Sequence, residues 1–253
     1  MLDHGFDSDP FPGNVPKLII QNTAGSFTWS KLTDQTGFHH GGAAADIDND
    51  GDIDVFVGGH EPFFYVNDGS AGFTKVDDRF DGSIGRVFAA ELIDVDEDGF
   101  VDLLVGAHER DGDTRRPLYW GSTTGSYGST LRTILPPMTS FGAVLDFEAE
   151  DFDGDGNRDL VLNRTRDGDD GAGSGFYQGR RMQLLMQDGN RGFTDVTSSQ
   201  VDDPGTNTDG WFPWLRARDI DSDGDIDIVP DNASLGFFYL NDGSGGFTKT
   251  ASP

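Results

Sequence analysis

The chain has 253 residues, 45 acidic against 18 basic side chains, a formal net charge of -27 and no cysteine. The length allows one large β domain or two smaller ones. The charge excludes a nucleic-acid or anionic-membrane surface, and the lack of Cys excludes disulfides, iron–sulfur clusters and thiolate zinc sites.

The acidity is mostly Asp, with 39 Asp to 6 Glu, while Lys is scarce at 4 against 14 Arg. A solvated surface and adaptation to high salt both account for that bias. No segment approaches the ~20 apolar residues of a membrane span. Residues 1–16 lack the basic start and apolar core of a signal peptide, so a mature or trimmed chain is expected.

No long stretch has a helical period. Short runs of Val, Ile, Phe and Tyr alternate with Gly, Asn, Asp and Ser turns, which predicts strands and hairpins. Residues 17–29, KLIIQNTAGSFTW, read as a first hairpin. His39 and His40 then precede a strand entering Asp46, Asp48, Asp50, Asp52 and Asp54, and His60 follows the strand that leaves. Neighbouring residues of a strand face opposite ways, which argues against His39 and His40 sharing one site.

The same acidic spacing returns as Asp94, Asp96, Asp98, Phe100 and Asp102. It returns again as Asp151, Asp153, Asp155, Asn157 and Asp159, and finally as Asp219, Asp221, Asp223, Asp225 and Asp227. Gly stands at position 6 each time, where a sharp turn needs it. Oxygens at positions 1, 3, 5, 7 and 9, with position 7 offering its carbonyl, suit Ca²⁺. Position 12 is Val57, Val105, Leu162 or Pro230, not the Glu of a helical calcium loop. About four structural calcium ions are expected, each tying together the strands on either side of its loop.

Two hairpins follow the first and last motifs almost identically, FFYVNDGSAGFTK at 63–75 and FFYLNDGSGGFTK at 237–249; looser versions follow the other two. Each unit is therefore four strands. Periods of this size predict an all-β β-propeller of four-stranded antiparallel blades. About four and a half repeats are visible within a single domain over 1–253. They comprise a half blade at 17–34 and full blades at 40–78, 86–131, 142–198 and 212–251. The half blade leaves three options: a five-bladed ring, part of a seven-bladed ring, or closure by an upstream domain or a second copy.

These loops and N-D-G hairpins resemble the FG-GAP/VCBS repeat family, whose calcium-binding blades are also seen in the integrin alpha-subunit propeller. The resemblance runs over residues 17–250. It implies the fold and the four calcium sites, and a secreted or cell-surface location, extracellular or periplasmic. It leaves function open among adhesins, lectin-like modules and lyase-like enzymes.

Ligand contacts are expected in the loops between repeats. One insert carries His108, Arg110, Arg115, Arg116, Tyr119 and Trp120. A second carries Arg164, Arg166, Tyr177, Arg180 and Arg181, and a third Trp211 and Trp214. Arginines recognise carboxylated or sulfated groups, and exposed aromatic rings stack on sugars or anchor proteins. The leading reading is a carbohydrate- or protein-binding module. The alternatives are a polysaccharide lyase using His108, Arg110 and Tyr119, and a scaffold domain within a larger protein. No nucleophile elbow, zinc-protease or phosphate-loop motif is present.

Overall fold

The computed structural model describes residues 13–252 apart from 22, 35, 83, 108–116, 139 and 167–176. Strands β1 (Lys17–Gln21) and β2 (Phe27–Lys31) form a two-stranded antiparallel hairpin. Four antiparallel sheets of four strands follow in chain order. Sheet I holds β3 (Gly42–Ala45), β4 (Asp54–Val57), β5 (Phe63–Asn67) and β6 (Phe73–Val76). Sheet II holds β7 (Ala89–Ile93), β8 (Asp102–Gly106), β9 (Pro117–Tyr119) and β10 (Arg132–Ile134). Sheet III holds β11 (Ala143–Glu150), β12 (Asp159–Thr165), β13 (Arg181–Gln187) and β14 (Phe193–Asp195). Sheet IV holds β15 (Leu215–Arg218), β16 (Asp227–Pro230), β17 (Phe237–Asn241) and β18 (Phe247–Ala251).

Each acidic loop joins the first two strands of its sheet. Position 9 is already the first residue of the second strand: Asp54, Asp102, Asp159 and Asp227 pair with Ala45, Ile93, Glu150 and Arg218 across the ladder. The second strands of sheets II and III are buried on both faces because a neighbouring sheet covers each face. Strands β8 and β12 are buried along their whole length, whereas the fourth strands β6 and β14 are half exposed.

Three cores lie between successive sheets. Phe56 and Phe64 of sheet I meet Leu103, Val105 and Tyr119 of sheet II. Leu104, Leu118 and Trp120 meet Val144, Phe147 and Leu162 of sheet III. Val161, Met182 and Leu184 meet Leu215, Ile228, Tyr239 and Phe247 of sheet IV. Each fully buried Leu or Phe contributes roughly 1.5–3 kcal/mol, so these contacts carry most of the stability.

The ring expected from the repeat count is not formed. The first strands β3, β7, β11 and β15 stand side by side in that order, and no comparable packing among the described residues returns from β15 to β3. None of the sheets is closed on itself. The β1–β2 hairpin has its face uncovered, with Phe27 and Trp29 each 67% exposed. The arrangement is an open row of four blade-like sheets. Repeat spacing counts sheets, but closure depends on the angle between them and on a partner for the last face, which spacing does not encode.

The meander sorts the connections by end. Acidic loops and third-to-fourth-strand hairpins lie at one end of each sheet, the loop end. Second-to-third-strand turns and the links between sheets lie at the other, the link end.

Candidate metal centres and a groove at the opposite end

At the loop end the backbone bends twice into the left-handed region, at positions 4 and 6. Asn49, Glu97, Gly154 and Ser222 have φ of 58°, 56°, 75° and 66°; Gly51, Gly99, Gly156 and Gly224 have φ of 95°, 90°, 91° and 102°. Space would allow a side chain at position 6, since a Cβ there meets nothing. Gly is needed for the torsion itself.

The double bend aims amide N–H groups at the position 1 carboxylate. Asp50 and Gly51 donate to Asp46 at 3.1 and 2.8 Å, and Asp98 and Gly99 donate to Asp94 at 3.1 and 2.9 Å. Loops III and IV repeat the contact at Asp151 and Asp219. Position 5 in turn accepts the N–H of position 7 in every loop.

Carboxylate oxygens converge as a result. Those of Asp46, Asp48 and Asp50 lie within 4.8 Å of one another, as do those of Asp94, Asp96 and Asp102, of Asp151, Asp153 and Asp159, and of Asp219, Asp221 and Asp227. These four clusters can coordinate a metal. The donors are all hard oxygens, which suits calcium better than a transition metal.

Position 9 has a second role that spacing did not reveal. One oxygen of each position 9 Asp accepts the N–H of position 2, at Ile47, Val95, Phe152 and Ile220. The other accepts an N–H at the hairpin end, from Asn67, Gly121, Gln187 and Asn241 at 2.7–2.9 Å. The buried carboxylate therefore clasps loop to hairpin. Each oxygen keeps a lone pair for a cation. Burial pushes Asp102 and Asp159 up to about 7, with Asp96 and Asp153 adding like-charge repulsion; Asp54 is raised for the same first reason. A cation among these oxygens reverses that preference.

The hairpin seals the loop. A Cβ on Gly69 would fall 2.5 Å from Asp52 Oδ2, and one on Gly243 2.6 Å from Asp225 Oδ2. Only a hydrogen fits above position 7. Side chains then reach the loop of the preceding sheet: Gln187 Nε2 donates to Val95 O, and Asn241 Nδ2 to Phe152 O at 2.8 Å.

In two loops an arginine from elsewhere in the chain pairs with the position 3 carboxylate, another feature that spacing missed. Arg79 pairs with Asp48 Oδ2 at 2.9 Å. Arg191, from the β13–β14 hairpin, pairs with Asp96 Oδ2 through Nε and with Asp98 Oδ2 at 3.0 Å. The other oxygens, Asp48 Oδ1 and Asp96 Oδ1, are buried and receive no hydrogen bond among the described residues. Among those residues no arginine pairs with Asp153, Asp155, Asp221 or Asp223.

The link end differs. A groove of about 430 Å³ is lined by His40, Phe88, Val144, Tyr177, Trp211 and Trp214. Tyr177, Trp211 and Trp214 are 36%, 42% and 52% exposed. The rings of Tyr177 and Trp211 lie 5.0 Å apart at 34°. His40 Nδ1 lies 3.0 Å from Phe88 O, which makes it the donor, since a carbonyl oxygen only accepts. Among the described residues no acidic side chain lines this groove.

The other expected ligand contacts among the described residues do not join it. Tyr119 and Trp120 are buried at 2% exposure in the cores beside sheet II. Trp120 Nε1 donates to Thr133 Oγ1 at 3.1 Å, and Arg191 stacks 4.6 Å from its ring. Arg164 is wholly buried and donates to Gln183 Oε1 at 2.6 Å. Arg180 is buried over Phe237 and pairs with Asp209 at 3.5 Å. Arg181 donates to Gly205 O at 2.9 Å, and the Arg166 backbone N–H to Gln178 O at 3.1 Å. His108, Arg110, Arg115 and Arg116 lie outside the described residues. The buried arginines answer backbone carbonyls and Asp rather than forming one basic surface.

Residues 46–105 and 94–162 each match the model of the FG-GAP-like repeat, so the chain carries an FG-GAP-like repeat region across sheets I to III. No curated protein matches the chain. Among solved structures it is similar to an Agrocybe aegerita lectin, described by its specific recognition of non-reducing terminal N-acetylglucosamine. The two share 14% identity with a TM-score of 0.54, over 92% of this chain and 59% of the lectin chain. It also aligns with the V. cholerae biofilm matrix protein Bap1, at 14% identity and a TM-score of 0.36, over 84% of this chain and 30% of that one. The chain thus spans less than two thirds of either structure, and the lectin likeness is one of fold. Among the described residues no helix is long and apolar enough to cross a membrane.

Proposed function

We propose that the chain is a calcium-stabilised all-β module, secreted or displayed at a cell surface, that binds a carbohydrate in the link-end groove. The observation that carries the binding reading is the trio Tyr177, Trp211 and Trp214. Three large rings left exposed around one cavity, with apolar walls and His40 as a polar group, suit the alternating faces of a sugar. The lectin's likeness of fold adds that such a scaffold can present glycan sites.

The calcium reading rests on the loop end. Clustered carboxylates repel one another unless a cation neutralises them. Asp48 and Asp96 each offer a buried oxygen that no donor among the described residues uses. Four ions, one for each loop, match the four clusters. The metal would be structural, holding each loop against its hairpin. The lyase alternative drew on Tyr119, which is buried, and on His108 and Arg110, which lie outside the described residues.

The test is a glycan array probed in calcium, with N-acetylglucosamine-terminated glycans among the first ligands, followed by titration of tryptophan fluorescence. Saturable binding that quenches Trp211 and Trp214 supports the reading. An array without a hit, on protein shown to be folded and calcium-loaded, overturns it.

A further inference from the structure

A second, smaller cavity opens at the link end beside sheet I, with a volume of about 160 Å³. It lies between the β2–β3 link, the β4–β5 turn and strand β6. The topology brings His39 from the link and His60 from the turn to one wall, beside Tyr65 of β5 and Lys75 of β6. Those two histidines share a cavity although twenty residues separate them, while His40 turns to the groove.

Two groups here are unspent. Tyr65 is 2% exposed, and its hydroxyl meets hydrogen-bond geometry with no group among the described residues, although Thr33 sits beside it. A buried hydroxyl without a partner is costly, so such a group marks a place for a ligand or water. Lys75 Nζ sits 4.3 Å from the centre of the Phe63 ring and forms no ion pair among the described residues. An ammonium left unpaired in a chain of net charge -27 is out of keeping with its surroundings.

The local field agrees. Burial, then Lys75, holds His39 below the usual imidazole range. Burial, then Arg86, does the same at His60, against a smaller opposing pull from Glu61. Both imidazoles are therefore neutral at pH 7, and nearby cations shape the potential. His39, His60 and Glu61 do not converge as metal donors among the described residues. One ammonium and one hydroxyl, with Glu61 also in the lining to oppose a second negative charge, match a single carboxylate better than a phosphate dianion.

We propose that the cavity bounded by His39, His60, Tyr65 and Lys75 binds a carboxylate, carried either by a short free acid or by an acidic sugar. The carboxylate pairs with the Lys75 ammonium and accepts the Tyr65 hydroxyl proton. A cavity of ~150 Å³ accommodates a six-carbon ring, so the enclosed part of the ligand has about four to six heavy atoms.

The experiment is calorimetric titration of the calcium-loaded full chain with L-lactate and, separately, D-glucuronate, with glucose as the neutral control. Lactate or glucuronate should saturate in the millimolar range while glucose does not. Lys75→Met and Tyr65→Phe should each weaken binding about tenfold, the worth of one charge-assisted hydrogen bond, without moving the melting temperature. Trp211→Ala should leave it unchanged, which separates this site from the groove. Saturation by lactate alone assigns a free acid, and by glucuronate alone a sugar-borne carboxylate; either supports the site. The proposal fails if neither saturates below about 50 mM, or if both variants bind like the wild type.

Discussion

The two ends of the sheets share a scaffold and obey different rules. At the loop end, four sets of carboxylates repeat one geometry, down to which amide each oxygen accepts. At the link end the connections differ in length from sheet to sheet, and among the described residues no acidic side chain lines the main groove. A feature repeated in every sheet serves what every sheet needs, which is to hold its loop and hairpin together. A feature found once is free to serve a ligand. On the proposed function, the difference separates stability from recognition along a single axis of the molecule.

The largest test of that separation is chelation. Calcium at 100 times its dissociation constant contributes about 2.7 kcal/mol at each site. If all four proposed sites are filled, the EDTA-treated chain should melt more than about 20 °C lower. Differential scanning calorimetry with metal analysis checks it. An unchanged midpoint, with no metal bound before treatment, removes the ion from the loop end altogether.

The clasp made by position 9 sharpens the same end. Asp102→Ala leaves the Val95 and Gly121 amides buried without their acceptor. Each loss costs about 1–3 kcal/mol, for a total of roughly 2–6 kcal/mol. Because the clasp is made of protein groups, the loss should persist in EDTA. If chelation abolishes the difference between variant and wild type, Asp102 acts only through the metal.

The loop end was legible in the sequence because its geometry is local. Nine residues supply every carboxylate of a cluster, and the Gly at position 6 declares the turn. The clasp was hidden because its hairpin partner comes 13 residues later at Asn67 but 28 later at Gln187. The groove was only half visible. Trp211 and Trp214 stood out as a cluster, but their companions His40, Phe88 and Val144 come from three other segments and carry no signal until the sheets pack. Tyr119 and Trp120 misled for a related reason. They adjoin an Arg-rich insert in sequence, yet they end a short third strand flanked by two cores, where every residue of β9 is buried. Ring closure failed as an expectation because a repeat count carries no angle.

At the link end the effect should fall on affinity and spare stability. Trp211→Ala removes a ring that is 42% exposed and faces Tyr177. Glycan affinity should fall about tenfold or more, given roughly 1–3 kcal/mol for a stacked ring, while the melting temperature moves by less than about 2 °C. Fluorescence titration and a thermal melt on the same sample check both. A large loss of stability would place Trp211 in the fold and blur the division between the ends.

The smallest effect lies midway, on the inner row of first strands, where carboxylates gather without converging as a metal cluster among the described residues. Glu91 of β7 stands near Asp146 and Glu148 of β11, and Arg216 of β15 partly offsets them. Asp146 spends one oxygen on the Leu215 N–H at 2.7 Å. Burial comes first in lifting Glu91 and Glu148 to about 7 and Asp146 to about 6; the Asp146 charge adds to the rise at Glu91 and Glu148, and Asp231 adds to that at Asp146. A raised folded-state pKa means that the unfolded chain gives up the proton more readily. The stability these groups contribute is therefore complete below about pH 4 and is lost as pH rises through about 6 for Asp146 and about 7 for Glu91 and Glu148. Glu148→Gln removes the charge and should stabilise the fold at pH 8 by about 1 kcal/mol, after discounting for partial exposure. That gain equals about 2–4 °C in melting temperature, and at pH 5 it should nearly vanish. The variant should behave this way with or without calcium. A gain at pH 8 that turns into a loss when calcium is added would mean that the inner row also holds the ion, and that metal binding extends beyond the loop end.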